Sequence, residues 1–149
     1  MASSEVAITN LLYRYAECVD TGDFKTMAEL FAHAQMRTRL DNGEIGMLDG
    51  PSVASNMSQQ VVIYPDGTPR TKHVMTNPIV HADEDAGTGT ARSYFTVFQQ
   101  VDDFPLQPVI AGRYRDEFER VDGEWRWAFR DYSFVDQIGD LSRHLKMTL

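Results

Sequence analysis

Apolar residues recur at Ile8, Leu11, Leu12, Tyr15, Cys18 and Val19, the i, i+3, i+4 spacing of a single helix face. Ser3 or Ser4 stands just ahead, where a side-chain oxygen can accept from the first unpaired amides. After "DTGD", Asp23 is placed to cap a second helix that would bury Phe24, Met27, Leu30 and Phe31 and leave Lys25 and Glu29 in water. The pattern predicts a tight helical hairpin. The runs "QMRTRL" and "EIGML" then alternate as short strands on either side of Asp41-Asn42-Gly43, a sequence that suits a hairpin turn. A third helix is predicted over 52–64, because Val53, Met57, Val61 and Tyr64 share one face, with "YPDGTP" breaking it.

From there onward the period is that of sheet. Four long β-rich runs are predicted, at 71–81, 88–100, 109–121 and 124–134, the last two joined by Asp122-Gly123. Pro78 cannot donate to a ladder and marks a bulge or an edge position. The tail over 137–149 carries weak signals and is expected as a short helix or a loose arm, so the expected domain spans 1–136. Helices first and strands afterwards make an α+β domain. Long strands with aromatics on both faces predict a curved sheet wrapped on the helices, with a pocket between the two layers.

Composition narrows the possible roles. With 149 residues and 42% hydrophobic content, the chain is long enough for one substantial core. Twenty-two acidic residues against 14 basic ones give a net charge of -8, and no basic block is present, which argues against nucleic acid as a partner. Apolar runs are short, as in Val61-Val62-Ile63-Tyr64, and "MASSEVAITN" has neither a charged start nor an apolar stretch, so no membrane partner and a cytoplasmic location are expected. Cys18 is the single cysteine, which precludes an internal disulfide and offers no metal-ligand spacing. No metal and no cofactor are expected.

Candidate chemistry centres on two residues far apart in the chain. Asp20 ends the first helix, where the macrodipole disfavours negative charge, so its carboxylate has reason to find a donor. His73 shares a strand face with Thr71, Met75 and Asn77 and differs in this from His33, His81 and His144, which fall in a loop, at a strand end and in the tail. Held by Asp20, the imidazole would keep one tautomer and act as a base through its other nitrogen. The competing reading makes Asp20 a simple turn former. Tyr15 lies on the apolar side of the same helix and is a candidate donor to substrate. Ile110, Gly112 and Tyr114 alternate on one strand, with Gly112 leaving room beside a ligand, while Arg130, Tyr132 and Phe134 alternate on the next. Met75 and Phe95 complete the candidate lining. Against these stand plain core packing for the tyrosines and a surface ion pair for Arg130. Trp125 and Trp127 are assigned to packing.

The stretches "ITNLLYRYAECVDTGDFKTMAELFA", "TKHVMTNPIV", "ARSYF" and "GRYRDEFERVDGEWRWAFRDY" resemble the SnoaL-like branch of the nuclear-transport-factor-2-like superfamily. The resemblance implies a cone in which three helices pack into a curved mixed sheet around an apolar cavity. It also implies roles, because scytalone dehydratase, bile acid 7α-dehydratase and hexachlorocyclohexane dehydrochlorinase carry an Asp at the end of helix one and a His on the following long strand, positions that Asp20 and His73 match. Tyr15 resembles the helix-one tyrosine of the bile acid enzyme, and Arg130 falls where the dehydrochlorinase has a functional arginine. Departures are plain too: the 88–100 strand has no histidine, Gly112 and Tyr114 replace a serine and an asparagine, and Phe134 stands in place of an arginine. The dyad is kept and the substrate-recognition set is not.

The function expected from these residues is a cofactor-independent lyase of the dehydratase type, acting on a small, largely apolar cyclic or aromatic substrate. An isomerase with the same base is the alternative, as is a non-catalytic ligand-binding protein or the small assembly subunit of an aromatic-ring oxygenase. Tyr94, Phe98 and Phe118 are candidates for an outer aromatic face that would pair copies of the chain into a homo-oligomer, dimer or trimer.

Overall fold

Ser3 accepts a hydrogen bond from the Val6 amide and so starts helix α1 (Ser4–Thr21) in the computed structural model, which describes residues 2–147 and 149. Gly22, with φ of 74°, ends α1 by turning its amide back to the carbonyls of Cys18 and Val19. The buried face comprises Ile8, Leu12, Tyr15, Ala16, Cys18 and Val19. Asp23 caps α2 (Phe24–Leu30) through the Thr26 amide, and the hairpin β1 (Gln35–Arg39) and β2 (Ile45–Asp49) follows. Helix α3 (Gly50–Gln60) begins on an Asp49 cap with Pro51 in its first turn and stops short of the expected 64. Its periodic residues continue past Gln60, but Val61 takes an extended conformation and pairs with Leu145, so an intersegment bridge replaces another helical turn.

The remaining strands are β3 (Thr71–Asp83), β4 (Thr88–Val101), β5 (Phe104–Val121), β6 (Glu124–Asp131) and β7 (Val135–Ile138). They form one mixed, curved sheet in the order β2-β1-β6-β5-β4-β3, with β7 beside β5 and β1 parallel to β6. The β5–β6 turn uses Asp122 and Gly123 at φ of 52° and 81°, the positive dihedrals that a two-residue hairpin requires. Pro78 lies on the edge strand β3, at a register shift between Thr76 and Ile79 that Asn77 accommodates with φ of 42°. The α+β architecture, the three helices and the curved sheet agree with the expectation from sequence. No helix among the described residues is long and apolar enough to cross a membrane.

Three details differ from the sequence reading. Strand β6 ends at Asp131 rather than 134, because the Tyr132 amide donates to the Arg37 carbonyl and the Phe134 carbonyl accepts from Arg113. The described residues of the tail form neither a helix nor a loose arm: β7 straddles the expected boundary at 136, Gly139 donates to the Val109 carbonyl, Val62 donates to the His144 carbonyl and Lys146 to that of Gln60. Phe118, expected on the outer face, is 2% exposed and packs on Trp127 with ring centroids 5.1 Å apart, because it keeps the strand parity of inward-facing Gly112 and Tyr114.

Gly112 is where β5 passes closest to the 132–134 crossover. A Cβ there would lie 2.1 Å from the Phe134 carbonyl oxygen and 2.9 Å from the Phe95 ring, so the room expected for a ligand is already filled by protein. Gly112→Ala should therefore destabilise the fold by about 2 kcal/mol, the usual scale of an overpacked core, read as a lower urea midpoint with an unchanged slope.

Candidate active site

Asp20 in the last turn of α1 and His73 at the start of β3 meet across a sequence separation of 53. The Asp20 Oδ1 atom is 2.6 Å from His73 Nδ1 and accepts from the Thr71 hydroxyl at 2.8 Å, while Oδ2 accepts from the His73 amide at 2.7 Å. Both side chains are withdrawn from water, His73 to 4% exposure and Asp20 to 10%. Burial alone would push the Asp20 carboxyl up, but the bonds from His73 and then from Thr71 outweigh it and hold the group below the usual carboxylate range. An ionised carboxylate only accepts, so Nδ1 carries the donated proton and Nε2 is left as the basic nitrogen.

The other inward-facing residues form an aromatic wall next to the dyad. Tyr15 is fully buried, its ring 6.3 Å from that of His73 and 6.0 Å from that of Tyr114, edge-on in both cases. Tyr114 stacks between Phe95 at 4.4 Å and Tyr132 at 5.7 Å. Met75 sits opposite Phe95 across the β3–β4 ladder, and both Met75 and Ile110 pack, half-buried, against the same core. Arg130 joins this wall from β6: its guanidinium lies 3.8 Å above the Tyr114 ring and 4.5 Å from that of Tyr15. Rather than a surface ion pair, it makes a fully buried bidentate one, with Nε and Nη2 donating to Asp116 at 2.7 and 3.1 Å.

Asp116 was not among the sequence candidates, although strand parity with Tyr114 and Phe118 points it inward. Counting back from the Asp122-Gly123 turn would set it opposite Phe129, and the bulge at Glu117/Phe118 sets it opposite Arg130 instead. Trp127 donates its indole N–H to the same carboxylate at 3.1 Å. Burial disfavours the Arg130 charge, but Asp116 more than compensates and keeps the guanidinium protonated. Burial, reinforced by the neighbouring phenol, also raises the Tyr15 hydroxyl well above its ordinary value, and Tyr114 shifts upward for the same leading reason. These phenols are donors, not bases. The Tyr15 hydroxyl, the Tyr114 hydroxyl and Arg130 Nη1 are buried without a hydrogen-bond partner among the described residues.

Phe134 does not belong to this wall. Its ring lies beneath the guanidinium of Arg113 at 4.6 Å, with Arg115 at 5.9 Å, and these side chains alternate with inward-facing Gly112 and Tyr114. Alternation from Arg130 through Tyr132 to Phe134 assumed a strand that ends at Asp131. His144, conversely, is buried to 5% exposure, and its ring centroid is 6.5 Å from that of His73. Leu141 and Leu145 flank it at one-turn spacing, a weak apolar signal that the tail is docked. Among the described residues, no group of three or more His, Cys, Asp or Glu side chains is disposed to hold a metal ion.

Comparison with known proteins places the SnoaL-like domain on residues 1–131. A search of curated proteins gave no match. Solved structures with a similar fold include a candidate aromatic-ring-hydroxylating dioxygenase beta subunit from Novosphingobium aromaticivorans, 16% identical over 97% of each chain with a TM-score of 0.69. An NTF2-like protein with a cystatin-like fold from the same organism is 19% identical over 87% of this chain and 80% of the other, with a TM-score of 0.67. A candidate scytalone dehydratase, also from that organism, is 19% identical over 84% and 79%, with a TM-score of 0.62. At these identities the likeness is one of fold.

The dyad and His144 both make the fold sensitive to acid. Asp20 titrates below its ordinary value, so its contribution is complete above the usual carboxylate range and is lost as pH falls through the lowered native value. Burial, and then His73, depress His144 from 6.5 to about 4, so its neutral form stabilises the native state fully above 6.5 and progressively less as pH falls toward 4. Urea midpoints should therefore decline from pH 6.5 to 4 in the wild type and decline less in His144→Phe over the same window.

Proposed function

The chain belongs to the SnoaL-like domain family, and from that membership and the geometry of its dyad we propose a cofactor-independent lyase of the dehydratase type. The observation that supports this reading best is the 2.6 Å contact between His73 Nδ1 and Asp20 Oδ1 with both side chains out of water. The proposed substrate is a small, largely apolar cyclic or aromatic molecule with a hydroxyl group β to a carbonyl. His73 Nε2 takes the proton from the carbon between them. The electron pair left behind forms the new carbon–carbon double bond as the carbon–oxygen bond breaks, and the imidazolium returns its proton to the departing oxygen, so that water leaves. Asp20 remains ionised throughout, holds the ring and stabilises the imidazolium. Tyr15 and Tyr114 keep their protons and have hydroxyls free to donate to the carbonyl oxygen, with the Arg130 charge beside them. Met75, Phe95, Ile110 and Tyr132 give the substrate apolar and aromatic neighbours.

Incubating a panel of cyclic β-hydroxy ketones with the protein in deuterated water tests the base and its product together. Water loss with exchange at the acidic carbon is expected, whereas deuterium appearing on a different carbon with the oxygen retained would indicate isomerisation. His73→Ala and Asp20→Asn should each slow turnover by about 10²- to 10⁴-fold. Two well-folded variants that turn over like the wild type would refute the mechanism.

A second reading has support of its own. The likeness to the candidate dioxygenase beta subunit extends over 97% of both chains, and the outer face of β3 and β4 exposes Val74, Ile79 and Tyr94, the last at 55%. As an assembly subunit or a homo-oligomer, dimer or trimer, the chain would cover this face with protein. Tyr94→Asp should then lower the assembled mass in light scattering without altering the far-ultraviolet circular dichroism, and an unchanged mass would exclude this face as the contact.

A further inference from the structure

We propose that His144 is a substrate-contacting residue, which the C-terminal segment brings in beside His73 to hold an oxygen of an uncharged ring compound by a hydrogen bond. This rests on the reading above that the dyad faces a small oxygenated ligand, and it adds the residue that selects for the oxygen.

The segment that carries His144 is tied down on both sides. Its carbonyl accepts from Val62, Lys146 donates to the Gln60 carbonyl, and the buried Gln99 side chain donates to the carbonyls of both Pro69 and Arg143. Gln99 pairs with Thr71 and Val97 with His73 across the β3–β4 ladder, so the anchor of the segment and the base of the dyad are two rungs apart, on the same face of the sheet. The two imidazoles consequently lie 6.5 Å apart, inclined at 70°. Many residues could pack at this position without polar cost. A histidine there leaves Nδ1 buried with no partner among the described residues, an arrangement that lowers stability unless something else occupies the bond.

The chemical class of that occupant follows from the charges nearby. Asp20 on α1 is ionised and lies beyond His73, which disfavours an anionic ligand. Arg143, the cation next in sequence, points toward the Phe104 ring at 5.7 Å. Burial keeps His144 itself neutral, with one donor and one acceptor nitrogen. A neutral imidazole matches a hydroxyl or carbonyl oxygen through its N–H or its acceptor nitrogen, without the extra proton that a general acid releases. Proton transfer therefore stays with His73, while His144 acts by positioning the oxygen.

The test compares α-tetralone with tetralin, which share a carbon frame and differ in the ketone oxygen. Affinities are measured on the full chain for wild type, His144→Phe and His144→Gln. The wild type should prefer tetralone by more than about tenfold, since the unpartnered tyrosine hydroxyls and His144 can each bond the ketone. His144→Phe should lower that preference by about tenfold, the size of one hydrogen bond, while leaving tetralin binding unchanged, and His144→Gln should restore part of it. A preference undiminished in His144→Phe overturns the role of His144 and leaves the dyad reading intact. Equal weakening of both probes assigns His144 to packing alone and likewise overturns the proposal. If neither probe binds the wild type, the ligand-pocket reading fails and the role of His144 fails with it.

Discussion

One carboxylate joins the helical layer to the sheet. Asp20 takes three bonds from two residues of β3, so the end of α1 and the start of β3 are held at a fixed distance and angle. A backbone amide shared with a side chain fixes β3 in register as well as in position, and His73 can then approach the carboxylate in only one ring orientation. The penalty of a negative charge at a helix C-terminus is offset by this concentration of donors. Structural anchoring and the proposed acid–base chemistry would draw on the same bonds. The part of the molecule that a base needs to be rigid is therefore the part that the fold already makes rigid.

A second carboxylate has a corresponding role deeper in the core. Asp116 neutralises Arg130 and accepts from Trp127, which allows a full positive charge to sit among Tyr15, Phe31 and Tyr114. Removing either partner would strand the other in an apolar environment. Together the two carboxylates divide the interior into a basic imidazole at one end and a cluster of protonated donors at the other. Such a division suits a molecule that loses a proton at one atom while charge builds on an oxygen a few bonds away.

Periodic signals carried most of the fold. Helix α1, the β5–β6 hairpin turn and the Pro78 bulge were each legible because a single local rule, apolar spacing, positive dihedrals or a missing amide, determined them. Asp20 and His73 were legible from a local conflict, a charge at the wrong end of a helix and a histidine on an inward-facing row. What was lost depended on register and on long-range docking. One bulge decided that Asp116 would meet Arg130, and no local pattern announces a bulge of that kind, whereas Phe118 turns inward by the alternation it shares with Tyr114. Phe134 was misplaced because β6 stops at Asp131, where its amide partners come from β1 and β5. His144 was overlooked because its burial comes from bonds to Val62, Gln60 and Gln99, none of them near it in sequence.

The irregular stretch around Asn77 and Pro78 has a bearing on how copies of this chain can meet. Strand β3 is the long edge of the sheet, and an unbroken edge of 13 residues would be open to ladder formation with a neighbouring molecule. A missing amide at Pro78 and a left-handed residue beside it interrupt the row of hydrogen-bonding groups at mid-strand. Extension of the sheet from one molecule into the next is thereby discouraged at its longest margin. The homo-oligomer proposed above would then be built by side chains projecting from the broad surface of the sheet, and a self-complementary contact there would close the assembly instead of propagating it.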